Sequence, residues 1–156
     1  MANVSAMCTS FKTELMLGAH QLGSVTLVSR TSLTAPTVDT LKAALYLASG
    51  SLGAGTTTYS ATSEVSGTGY TAGGITVTNA TAPTSSGTTA FWTPSASLVY
   101  NTVTLATAFD AVLIYNSTQS NRAISVHNFG SQTITAATLT LSMPTNGAGT
   151  ALLNLA

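Results

Sequence analysis

Along most of this chain apolar side chains recur at every second residue, in short runs cut off by glycine, proline, serine or asparagine. Residues 138–143 show it most plainly: Leu139, Leu141 and Met143 alternate with Thr138, Thr140 and Ser142. A period of two puts one set on each face of a β-strand, whereas a helix would need a period near 3.6. The same signal recurs where Leu41, Ala43, Leu45 and Leu47 alternate with Lys42, Ala44 and Tyr46, and where Ile75 and Val77 alternate with Thr76 and Thr78. Residues 25–28, 89–93 (with Phe91 and Trp92), the run of Val99, Val103 and Leu105, the pair Ile124 and Val126, and Leu153 with Leu155 are further strand candidates. Residues 109–115 are almost continuously apolar, which suits a central strand covered on both faces.

The connections carry turn chemistry. Residues 49–58 and 66–74 are rich in Gly, Ser and Thr, and residues 82–88 hold Pro83 and Gly87. Residues 116–121 are placed to close a hairpin, and residues 144–149 form a turn before the last strand. Only residues 10–17 read as helical: Phe11 and Leu15 share a face, Thr9 or Ser10 can cap the start, and Gly18 can end it. The expectation is an all-β fold: one antiparallel β-sandwich or jelly-roll-like domain over 10–156, with one short N-terminal helix and an arm over 1–9.

Composition explains how such a fold stays wet. Charged residues make up 5% of the 156, the net charge is zero, and 30 Thr and 19 Ser supply the polarity. Threonine is β-branched and therefore strand-favouring, yet its hydroxyl is hydrated. Four Lys+Arg cannot build the basic footprint of an ordinary nucleic-acid binder. With 44% hydrophobic residues the chain is not of the disordered class, and no apolar run reaches the length of a membrane span. Cys8 is alone, so no intrachain disulfide forms. Residues 1–10 lack the basic and apolar regions of a secretory signal, and three Asn-X-Ser/Thr matches (Asn3, Asn79, Asn116) are read as chance in so Thr-rich a chain.

Site chemistry is sparse. The acids are Glu14, Asp39, Glu64 and Asp110, and the histidines are His20 and His127. His127, Asp110 and a serine make a triad only on paper, because no serine sits in a nucleophile-elbow context. Two histidines more than a hundred residues apart show no metal-site spacing. Gly67-Thr-Gly69-Tyr70 and Gly73-Gly74 resemble a phosphate loop in composition but lack its lysine and its βαβ context, so a β-loop with positive φ or close backbone approach is expected. Tyr59 and Tyr70 flank that loop and are candidates to touch a sugar or a protein neighbour, with packing onto the domain's own body the stronger reading. Trp92 beside Phe91 is a candidate stacking platform, with core or interface the stronger reading.

Several segments together resemble a family of small bacteriophage virion proteins. They are Phe11-Lys-Thr-Glu-Leu15 with Gly18-Ala-His20, Asp39-Thr-Leu-Lys-Ala-Ala-Leu-Tyr46, and Thr58-Tyr59 followed by Glu64-Val-Ser-Gly-Thr-Gly-Tyr-Thr-Ala-Gly-Gly74. Leu113-Ile-Tyr-Asn-Ser117, Asn121-Arg-Ala-Ile-Ser-Val126, Phe129-Gly130 and Pro144 complete the set, in order over nearly the whole chain. The most specific piece is the block 64–74. One departure from the family pattern is a longer segment, residues 21–38, where an added strand or contact arm is expected.

The resemblance implies a structural protein of the particle, without catalytic residues, cofactors or metals. The expected role is a capsid cement or decoration protein, made in the host cytoplasm and located on the virion, that binds the major capsid protein and copies of itself. Nucleic acid and membrane are not expected partners. The loop residues Tyr59, Gly67, Gly69, Tyr70, Gly73 and Gly74, together with Trp92, Asn116, Asn121 and Arg122, are the candidate contact positions. The alternatives are a tail, neck or fibre-associated virion protein, or a carbohydrate-binding module using Tyr59, Tyr70 or Trp92 on a host-surface glycan.

Overall fold

A computed structural model describes residues 3–8, 10, 11, 15, 20, 22, 23 and 37–155. Its described elements are strands: β1 (Ala6–Met7), β2 (Leu41–Leu47), β3 (Ile75–Thr76), β4 (Thr84–Ser86), β5 (Thr89–Trp92), β6 (Leu98–Asn116), β7 (Arg122–Leu141) and β8 (Leu153–Leu155). They form two antiparallel sheets, one of five strands in the order β1-β7-β6-β2-β3 and one of three in the order β4-β5-β8. The expected antiparallel β architecture therefore holds for the described residues. No helix is seen among the described elements, and of the stretch expected to be helical only Ser10, Phe11 and Leu15 are described. The expected strand at 25–28 and most of the 21–38 segment also lie outside the described residues.

The centre of the protein is the β6–β7 hairpin. Two strands expected on β6 are one strand of 19 residues, and its partner β7 runs for 20. The ribbon is interrupted rather than straight. Between Tyr100↔Leu139 and Leu105↔Ile134 each strand advances five residues, but β6 uses its extra residue first and β7 repays it before Ile134. Between Leu105↔Ile134 and Ala111↔Asn128 each advances six, again through two offsetting irregularities. Thr102 (φ 47°), Ala136 (φ 46°) and Gly130 (φ 87°) mark these bulges. Bulges bend and twist a ribbon locally. Because these irregularities offset one another, cross-strand pairing regains its register by Ala111↔Asn128, while the buried positions on β6 slip from Leu98 and Tyr100 to Val103, Leu105 and Phe109. The bend is evident from what meets: Leu98 and Leu141 at one end line the same cavity of about 240 Å³ as Val112 and Ile114 near the other.

Residues 109–116 of β6 are all buried, in keeping with the central strand expected there, because β2 pairs along one side and β7 along the other. Leu41, Leu45, Leu113, Ile114, Ile124 and Phe109 form the centre of the core, and Trp92 and Leu153 join it from the smaller sheet. Residues 82–88, expected to be a connection, instead hold β4 and its turn into β5. Gly87 (φ 57°) takes the first central position of the two-residue loop Gly87-Thr88, where positive φ suits the twist of a tight hairpin.

The 1–9 segment, expected as an arm, lies against the main sheet through residues 3–8. Ala6 and Met7 pair with Val126 and Ser125, and the Cys8 N–H donates to the Ile124 carbonyl. Asn3 anchors the segment. Its Nδ2 donates to Asp110 Oδ1 (2.5 Å) and the Leu47 carbonyl (3.0 Å), and its Oδ1 accepts from the Leu52 N–H (2.9 Å). Asn128 Nδ2 donates to the other oxygen of Asp110 (3.0 Å), so this buried carboxylate is held by two amides.

Candidate functional site

The loop between β2 and β3 folds over the edge of the main sheet. Tyr46 and Glu64 form an isolated antiparallel bridge, with the Leu47 N–H donating to Ser63 and the Val65 N–H to Leu45. That pairing fixes the Glu64 backbone and directs its carboxylate among the tyrosines. Oε2 accepts from the Tyr59 hydroxyl (2.6 Å), and Oε1 accepts from the Tyr70 hydroxyl (2.7 Å) and the Gly73 N–H (2.7 Å). The Tyr70 oxygen in turn accepts from the Leu45 N–H (3.0 Å).

The other three tyrosines sit around the same carboxylate. Tyr115 donates to the Gly73 carbonyl (2.8 Å), Tyr100 to the Ala43 carbonyl (2.9 Å) and Tyr46 to the Ser60 carbonyl (2.5 Å). Tyr59 stacks on Tyr115 with ring centroids 4.7 Å apart, and Tyr70 on Tyr100 at 6.1 Å. All five tyrosines of the chain are thus committed to internal hydrogen bonds. Burial is the first cause holding each phenol above its usual range, and the negative charge of Glu64 adds to it; Tyr46 is pushed up to about 12.

The glycines expected to allow close approach lie in this loop. A Cβ at Gly74 (φ 72°) would overlap the Ala43 carbonyl oxygen, and one at Gly67 would overlap the Thr104 carbonyl oxygen. Gly69 and Gly73 adopt positive φ of 78° and 86°. The Thr68–Thr104 bridge ties the loop to the exposed limb of β6, beyond the reach of β2. The loop therefore follows the protein's own backbone.

Asn116 sits inside the protein at the β6–β7 turn, fully buried. Its Nδ2 donates to Asp39 Oδ2 (2.6 Å) and lies 3.0 Å from His20 Nδ1, while its Oδ1 accepts from the N–H groups of Thr118 and Gln119 at 3.1 Å each. Gln119 Nε2 donates to the other Asp39 oxygen at 3.2 Å. Asparagine closes the turn with its side chain as a surrogate backbone group. Ser120 and Asn121 complete it in the left-handed region at φ 53° and 59°. The Asn121 carbonyl takes the Tyr59 N–H, and Arg122, which bridges to Thr58, is exposed. Trp92 is buried, with its indole N–H donating to the Thr81 carbonyl at 2.8 Å; its ring lines an apolar cavity of about 280 Å³ with Phe11, Leu22, Phe91 and Leu153.

The candidate positions thus divide. Tyr59, Tyr70 and Gly73 come together around Glu64, Gly67 and Gly69 lie against the Thr104 and Thr102 carbonyls, and Gly74 lies against Ala43. Asn116 joins an interior Asp39–His20 network, Trp92 joins the core, and Asn121 and Arg122 are exposed at the turn. Glu64, Asp110, Asn3 and Asp39 are the organising groups, and none of them is among the candidate contact positions. The partners of Glu64 lie five to nine residues away, whereas Asn3 and Asp110 are 107 residues apart and Asp39 and Asn116 are 77 apart.

The charge distribution follows from these networks. Of the charged side chains among the described residues, Asp39 and Asp110 are buried, Lys42 and Glu64 are half-buried, and Arg122 alone is exposed. Residues 65–109 and 123–156 contain no Asp, Glu, Lys or Arg. The exposed limb of the hairpin is accordingly a surface of Thr, Ala, Ser and Gln: Asn101, Thr102, Ala106, Thr107 and Ala108 on β6 face solvent, as do residues 131–133 and 135–138 on β7. Among the described residues no three His, Cys, Asp or Glu gather in a metal-binding group, and no helix is long and apolar enough to cross a membrane. No protein-family model, curated protein or solved structure matches the chain.

Proposed function

We propose that the chain is a bacteriophage virion structural protein, acting as a capsid cement or decoration protein on the outer surface of the head. The observation that carries this reading is the charge-poor surface of the described residues: their acids accept hydrogen bonds within the protein, Arg122 is their one exposed charge, and a long threonine- and alanine-rich ribbon faces solvent. Docking such a surface desolvates few charges, and charged residues are depleted at the centres of protein interfaces. The family resemblance over 11–144 supports the same reading. The partners are the major capsid protein and further copies of the chain, the role is non-enzymatic, and we read the two sheets as the facing layers of a sandwich.

A cement protein stabilises its lattice because it binds the assembled form and not the separated subunits, so occupancy shifts the equilibrium towards assembly. The test adds purified protein to capsids stripped of it. The reading predicts co-sedimentation, a raised capsid melting temperature, and an affinity changing less than about twofold between 50 and 500 mM salt, since few charges are screened. No binding, or binding lost steeply with salt, would overturn it.

A further inference from the structure

Among the described residues, strand β7 is paired along its outer edge for only part of its length. Strand β1 pairs there opposite Ser125 and Val126, and the Asn128 N–H donates to Ser5 Oγ. Beyond Asn128 no described strand continues along that edge. Residues 131–138 are exposed apart from half-buried Ile134. In an antiparallel ladder every second residue turns its N–H and C=O away from its partner, so this edge presents donors and acceptors that no described strand pairs. Strand edges are commonly blocked by lysine or proline. Ser131-Gln-Thr-Ile-Thr-Ala-Ala-Thr138 contains neither, and no other charged residue.

We propose that this edge of β7 pairs antiparallel with the same edge of a second copy, joining two main sheets across a local two-fold axis. The occupant is a second copy because the edge is self-complementary. Around a two-fold axis each position meets another position of the same uncharged stretch, so no like charges oppose and none is left unpaired. Strand β1 already occupies the same edge antiparallel a few residues away, so the edge accepts a strand in that orientation. Gly130 and Ala136, both at positive φ, confine the regular pairing to residues 131–135. So short a ladder buries far less than the roughly 800 Å² per partner of a stable interface. Pairing is therefore weak in free solution and becomes effective where copies are held side by side at high local concentration.

The inference goes beyond the capsid reading, and it is tested without any capsid, so either can fail alone. Sedimentation velocity of the full chain from about 1 μM to about 1 mM is expected to show a monomer passing to a dimer. Thr133→Lys combined with Thr135→Lys weakens the dimer about tenfold or more, whereas Thr84→Lys combined with Ser86→Lys on the β4 edge leaves it unchanged. Hydrogen exchange on the unsubstituted protein gives a reading independent of whether the variants fold: amides of residues 131–135 gain protection as concentration rises. A monomer at every concentration, or concentration-dependent protection confined to another strand, would overturn the proposal.

Discussion

The hydroxyl of Tyr70 joins the Glu64 carboxylate to the central sheet: it donates to Oε1 at 2.7 Å and accepts from the Leu45 N–H at 3.0 Å. Removing the carboxylate strips partners from two phenols and the Gly73 N–H together. Glu64→Ala is expected to cost about 1–3 kcal/mol, the usual penalty for leaving a buried polar group unsatisfied, and so to lower the melting temperature by several degrees. Glu64→Gln, which keeps one acceptor, should lie between. Thermal melts of the three proteins check the order; a Glu64→Ala protein as stable as the parent would remove Glu64 as the organiser of the loop.

Alkaline titration reads the same cluster. Burial and the Glu64 charge hold all five phenols above the usual value near 10, so their neutral forms are favoured by folding. The resulting stability is complete below pH 10 and lost as pH rises through the folded values, that of Tyr46 lying near 12. At pH 10 the folded protein should show less phenolate absorbance than the unfolded chain, with the remainder appearing only at higher pH. Equal phenolate absorbance at pH 10 in the folded protein and the unfolded chain would contradict this.

At the acid end His127 is the informative group. Burial pushes its imidazole down to about 4 from the usual 6.5, so folding favours the neutral ring. Its contribution to stability is present above about pH 6.5 and lost as pH falls towards 4. The ring-proton NMR signal of His127 should titrate near 4, and His127→Gln should flatten the fall in denaturant midpoint between pH 7 and 4. A midpoint near 6.5 would show the ring to be solvated.

The N-terminal segment should come loose when its anchor is cut. Asn3→Ala leaves buried Asp110 with Asn128 as its remaining amide and removes the bond to Leu52. The expected cost is about 1–3 kcal/mol, with faster hydrogen exchange at Ala6, Met7 and Cys8. Unchanged exchange there would mean that the β1 pairing holds the segment without Asn3.

Much of the fold is legible locally. The alternation in β2 and at the C-terminal end of β7 needs only neighbouring residues, as does the Asn116 turn. What escapes is non-local or chemically unmarked. Val99–Leu105 and Phe109–Tyr115 read as two strands because exposed residues 106–108 break the pattern; they are one strand because offsetting bulges restore the register. Positive φ at Thr102 and Ala136 has no signal in residues that ordinarily avoid it. Strand β4 was hidden by Pro83 and Gly87, although Gly87-Thr88 is a fair hairpin turn. Around Glu64 the Gly/Tyr-rich loop is visible in sequence, but its junction with Tyr115 and Tyr100 depends on strand pairing between distant segments.

The proposed capsid role has its most direct test in a cryo-EM reconstruction of phage particles purified together with this protein. The account predicts density for the β6–β7 ribbon on the outer face of the head, seated across joints between major-capsid subunits. Density for the chain at the tail tip and none on the head would contradict it.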